Sequence, residues 1–219
     1  MLAVAAIMTT LSASAQFEPE EWSLDLNVGL GASWMNNADK RVFDETTVNK
    51  QLMPSALINV GASYQVSKKL GLSASLSYCI QGQAWKKFTI DGVEYSNNTL
   101  ELTYLQVPVM AHYYIYKGLA INAGVQVGFM MNADDTHHGE STTSKGRKQT
   151  DDIRVDYKKD LKTVDLTIPL GISYETSDHF VWALQYNLGL TDVDKKTVPF
   201  GKGLKNQAIY LTFGYKIGL

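Results

Sequence analysis

From Glu21 onward the chain alternates apolar and polar residues with a period of two, the pattern of strands with two unlike faces. In the first segment Trp22, Leu24, Leu26, Val28, Leu30, Ala32 and Trp34 share one face, and Ser23, Asp25, Asn27, Gly29, Gly31 and Ser33 share the other. The same alternation runs from Ala56 to Val66, Leu70 to Ile80, Leu119 to Phe129, Val164 to Tyr174, Phe180 to Leu190 and Ile209 to Leu219. A further segment, Leu100 to Ile115, changes phase near Tyr104 and Leu105 and carries Pro108, which cannot donate a ladder bond, so a bulge or kink is expected there. Eight strands follow, each long enough to cross a bilayer at a tilt.

The connections alternate too. Short turns fall at Ser67-Lys68-Lys69, Tyr116-Lys117-Gly118 and Glu175 to His179. Long polar loops fall at about 35–54, 86–99, 132–159 and 191–205. Hairpins place successive connections at opposite ends, so every long loop gathers at one rim, as in membrane barrels with short periplasmic turns and long extracellular loops. The predicted fold is therefore all-β: an eight-stranded antiparallel up-and-down transmembrane β-barrel.

A soluble, lipocalin-like binding barrel would show the same period, with its apolar residues turned inward around a ligand. Its outer face would then carry charge freely. Here the face opposite the apolar one is mostly Gly, Ser, Asn, Gln and Thr, with Asp25, Asp165, Glu175 and Lys216 scattered along it. Small polar side chains suit the narrow interior of eight strands, which turns the apolar face toward lipid. Trp22 and Trp34 bracket the first strand, and Trp85, Tyr113, Tyr116 and Trp182 lie near strand ends, where aromatic girdles sit.

Residues 2–11 are small and mostly apolar, and Ala13-Ser14-Ala15 fits the small-x-small pattern of a signal-peptidase site. Residues 1–15 are expected to be a signal peptide cleaved after Ala15, and residues 16–219 the barrel domain. The usual basic n-region is absent, so the true start codon is expected upstream. No other apolar run approaches the 18 residues of a spanning helix. With 219 residues, a net charge of −2 and one cysteine, Cys79, the chain has room for one domain, no charge reason to bind nucleic acid and no internal disulfide.

The chain resembles the PorT-like family of outer-membrane β-barrels, in the OmpA/OmpX-like small barrel group. The resemblance rests on Tyr104-Leu105-Gln106-Val107-Pro108-Val109, on Gly118-Leu119 with Gly124 to Gly128, on Gln185 to Thr191, and on the closing Tyr210 to Leu219. It implies outer-membrane residence, insertion by the barrel-assembly machinery and a link to protein secretion or envelope assembly. The last strand resembles the assembly signal, although it ends in Leu219 where an aromatic is more usual.

Chemistry-bearing clusters are few. Asp134-Asp135-Thr136-His137-His138 has metal-ligand residue types, but adjacent histidines rarely serve one ion, and the loop reads as solvated and mobile. His112 lies among Tyr113, Tyr114 and Tyr116 with no assignable nucleophile and suits interfacial hydrogen bonding; His179 falls in a turn. Asp25, Asp165, Glu175 and Lys216 should pair inside the barrel as a structural plug, and Cys79 reads as a small filler among serines. Catalytic, cofactor-binding and metal residues are therefore assigned to none. The expectation is a non-enzymatic envelope protein whose partners are outer-membrane lipid and an envelope or secretion protein. A narrow pore or transporter and a lipid-modifying enzyme dependent on His112 or His137 stand as alternatives.

Overall fold

A computed structural model describes residues 18–38, 41–43, 46–90, 93–142, 148–195 and 201–219. The expected signal peptide lies outside these residues. Eight strands form a closed ring: β1 (Trp22–Ala38), β2 (Met53–Ser67), β3 (Leu70–Trp85), β4 (Val93–Tyr116), β5 (Leu119–Thr142), β6 (Val164–Glu175), β7 (Phe180–Gly189) and β8 (Gly201–Gly218). Each pairs antiparallel with its neighbour in sequence. β8 closes the ring on β1, with Ser23 opposite Gly218 and Ser33 opposite Ala208. Closure leaves no free edge around the membrane-spanning wall.

The alternation sets the orientation of the wall. Along β1, Trp22, Leu24, Leu26, Val28 and Leu30 are exposed on the outside, whereas Ser23, Asp25 and Ser33 are buried within. The other strands repeat this through the membrane-spanning wall, the reverse of a soluble binding barrel, whose apolar side chains line the interior. Trp22 contacts Tyr64 near one rim and Trp34 stacks on Tyr186 near the other. The turn at Lys117 and Gly118 has positive φ at both residues (29° and 82°), the conformation that matches strand twist in a two-residue hairpin.

Three expectations are corrected. First, three of the long loops are largely strand; within 35–54, Arg41–Phe43 pairs antiparallel with Thr46–Val48, and Lys50–Gln51 pairs with the end of β3. β4 and β5 are 24 residues each, and Lys148–Asp156 adds a third strand to β5 while Phe88–Ile90 adds one to β4. The segment read as a mobile loop at 132–159 thus holds much of a sheet that rises beyond the barrel rim. Second, the phase change near Tyr104 is not a kink at Pro108. β4 keeps even-numbered residues inside from Asn98 to Tyr114, and its register with β5 passes Pro108 opposite Gln126 unshifted. Pro108 only interrupts the ladder to β3, which lapses between Ala74 and Ser77. The bulge is in β5, where Tyr104 pairs Met130 and Thr103 pairs Asn132, leaving Met131 over. Third, Trp85 is not a girdle residue. It is buried in an apolar cluster inside the loop-side mouth.

Candidate functional site

The interior is organised in layers, each held by residues that alternation turns inward. At the turn-side rim, Lys216 of β8 places Nζ 2.8 Å from Oε2 of Glu175, the last residue of β6. The Tyr114 hydroxyl donates to the same oxygen at 3.0 Å and accepts from Lys216 at 3.1 Å. His179 Nδ1 lies 3.2 Å from the other Glu175 oxygen. Asp25 accepts from the hydroxyls of Ser23 and Ser63 on its own and the adjoining strand. Glu175, Asp25 and Tyr114 are all buried, so this rim carries a hydrogen-bonded ionic plug, as expected for charges in a narrow interior.

The plug borders a cavity of about 110 Å³ whose lining joins Asp25, Glu175 and Lys216 to neutral polar side chains such as Asn59 and Gln106 and to apolar Leu57 and Met110. Asn59 donates to Ser75 and Ser77 at 2.8 and 2.6 Å. His112 points into the barrel and not toward the interface as expected. Its Nε2 is 2.8 Å from Ser73 Oγ, and its Nδ1 is 2.9 Å from Asn122 Oδ1, which also accepts from Ser173 at 3.3 Å. The sequence left His112 without an assignable nucleophile; pairing of β3 with β4 brings the Ser73 hydroxyl to it. The order Ser–His–Asn matches that of a nucleophile, base and orienting group. Here it spans three adjoining strands inside the wall, between two plugs, and closes the hydrogen bonding of a buried imidazole.

The loop-side half of the interior changes character. Among the described residues Asp165 has no cation partner; it accepts from Asn206 and Thr191, both at 2.7 Å, and Asn206 also donates to Tyr104 at 3.0 Å. Beyond that layer, Met35, Leu100, Leu102, Met130, Leu161 and Leu204 pack with Cys79 and Trp85 into an apolar core that stoppers the mouth. Sequence reading missed this stopper. Its signal was present: Met35, Trp85, Leu100, Leu102 and Met130 all fall on the inward parity of their strands. The long loops contribute Leu161 and Val193, tied by bonds from Lys162 N to Val193 O and from Val193 N to Leu204 O.

Outside the mouth, the adjacent histidines separate. His137 turns inward to Asn98, with Nδ1 2.8 Å from Oδ1, and lies 3.4 Å from Asp135. His138 faces the other way and bonds Asp152 of the added strand, with Glu140 at 3.4 Å. The hydrogen bonds of Asp152 and then Glu140 raise the His138 pKa above its ordinary value. Asp134 receives a two-pronged contact from Arg154, Nε at 3.0 Å and Nη2 at 2.6 Å, which holds its carboxyl below the usual range. These pairs fasten the added strand to β5. Among the described residues no group of three or more His, Cys, Asp or Glu side chains is arranged to hold a metal.

Among solved structures, Ail, the attachment invasion locus protein of Yersinia pestis, is 12% identical over 91% of this chain and 99% of its own, with a TM-score of 0.46. Neisserial surface protein A is 9% identical over 90% and 96%, with a TM-score of 0.43. OprG of Pseudomonas aeruginosa is 11% identical over 94% and 97%, with a TM-score of 0.40. No curated protein matches. A family model described as outer membrane protein beta-barrel domain matches residues 12–195. The chain belongs to that family, and the wall described above, apolar outside and polar within, is that of a protein resident in the outer membrane.

Proposed function

We propose that this protein acts by contact and not by conduction or catalysis: a closed, non-enzymatic barrel that anchors a projecting sheet for an envelope or secretion partner. The observation that carries this reading is the double closure of the interior. The Lys216–Glu175–Tyr114 cluster fills the turn-side rim, and the Leu100–Leu102–Leu204 stopper fills the other. A solute path would need both to open. In contrast, β4, β5 and the strand Lys148–Asp156 hold ordered surface well beyond the barrel, with Ile153 and Val155 exposed on it. Ordered elements that project from a membrane anchor suit recognition.

Membership of the PorT-like group, with its link to secretion, follows from the sequence resemblance and is the finer form of this reading. Cleavage after Ala15 and insertion by the barrel-assembly machinery complete it. The test is crosslinking in living cells with a photoreactive residue at Ile153 or Val155, and at Leu211 on the lipid face as control. A discrete adduct from the projecting sheet alone supports the reading. Adducts from neither sheet position, together with stepwise ion conductance of the purified barrel, would overturn it in favour of a pore.

A further inference from the structure

The outer wall is not uniformly convex. An apolar furrow of about 470 Å³ runs across it between two rows of outward side chains. One row is Leu26, Val60 and Leu76, aligned by direct cross-strand pairing; the next is Val28, Ile58 and Tyr78. On β2 the outward positions beyond the rows are small, Ala62 (opposite Ala74) on one side and Ala56 on the other, whereas β1 carries Leu24 and Leu30 there. The six side chains of the two rows remain between 46% and 57% exposed, so their flanks are open to an occupant.

We propose that this furrow seats one acyl chain of a phospholipid of the periplasmic leaflet. The wall is already a lipid interface, and the furrow is continuous with it. Its dimensions select a single chain. It crosses five strands from β8 to β4, a length of roughly 19 Å at about 4.8 Å per strand spacing. Strands tilted by about 40° incline a furrow perpendicular to them by about 50° from the membrane normal. It therefore covers about 12 Å of depth, against about 15 Å for one leaflet of a hydrocarbon core roughly 30 Å thick. The direction fixes the leaflet. The β8 end of the furrow, at Tyr215, lies close to the turn-side terminus at Gly218, whereas the far end, at Leu105, sits high on β4, whose turn-side end is Tyr116. The chain enters from the periplasmic headgroups and ends near the midplane. A second barrel would meet the wall along a strip parallel to the membrane normal and would not follow this slant.

The test uses the intact barrel in phosphatidylethanolamine vesicles carrying a trace of the same lipid with a diazirine near the middle of one acyl chain. After irradiation, labelled peptides are expected to concentrate on Leu26–Val28, Ile58–Val60 and Leu76–Tyr78. Val28→Trp and Ile58→Trp fill the furrow while keeping the wall apolar. Each is expected to cut labelling there at least threefold and to leave labelling at Ile172 and Leu184, on the opposite wall, unchanged. Heat-modifiable migration in gels confirms that the variants close. Labelling spread around the wall in proportion to exposure, labelling indifferent to the tryptophans, or barrel-to-barrel crosslinks at these residues would each overturn the proposal.

Discussion

Lys216 and Glu175 meet inside the barrel at 2.8 Å although their strands, β8 and β6, are not neighbours in the ring. The contact spans the lumen over β7 and ties the last strand to the rest of the wall. Glu175 is buried and the Lys216 side chain is only 12% exposed, so their value lies in mutual compensation.

Removing one partner leaves the other charge uncompensated. Lys216→Met is expected to destabilise the barrel by about 3–5 kcal/mol, the usual penalty for orphaning a buried charge. The double variant with Glu175→Gln should recover a substantial part of that loss. Urea unfolding in lipid vesicles measures both; equal losses in single and double variants would show that the pair is not coupled.

The two closures are in series, so opening either alone should yield no current. Leu102→Ala and Leu204→Ala each remove a fully buried side chain from the stopper, at a cost of about 2–5 kcal/mol. Current in planar bilayers is expected only when such a stopper variant is combined with loss of the Lys216–Glu175 plug. Conductance from a stopper variant alone would mean that the turn-side plug is leaky.

Trp85 and Trp182 have opposite surroundings, buried in the stopper and half exposed to lipid respectively. Trp85→Ala should cost about 3–5 kcal/mol and leave a cavity, whereas Trp182→Phe should be nearly neutral. Fluorescence separates them independently: brominated acyl chains should quench Trp182 strongly and Trp85 weakly.

The projecting sheet should be pH-sensitive at both ends of the range. His138 has a raised pKa through Asp152 and Glu140, so its stabilising contribution is complete below the ordinary histidine value of 6.5 and fades as pH rises through the folded value. Asp134 has a lowered pKa through Arg154, so its contribution is present above the ordinary value of 3.8 and fades as pH falls through the folded value. Hydrogen exchange of Lys148–Asp156 is the readout. His138→Gln should abolish the loss of protection on the alkaline side and leave the acid side intact.

Alternation made the wall legible because a strand buried on one face and bathed in lipid on the other must repeat every second residue. Trp22 through Leu30 on β1 and Phe180 through Leu184 on β7 follow that rule without exception. Alternation failed near the mouth, where the apolar face changes sides: Leu105 and Val107 face lipid, but Leu100 and Leu102, on the other parity, face a dry interior. A chain-local pattern reports that one face is apolar, and cannot say whether lipid or protein covers it. The projecting strands were hidden for a related reason. Water meets both faces of much of that sheet, so Lys148–Asp156 is rich in charge and lacks the two-faced signature. The Ser73–His112–Asn122 chain depended on register between three strands, which no single segment encodes.

The most direct measurement is an accessibility scan by electron paramagnetic resonance along β1, with a nitroxide placed in turn at positions 24 to 31 in a Cys79→Ser background. An apolar outer wall around an enclosed polar interior predicts oxygen collision rates that peak at Leu24, Leu26, Val28 and Leu30 and fall at the residues between. A water-soluble nickel complex should reach none of those four. Nickel contact at the even positions, or oxygen maxima at the odd ones, would contradict it.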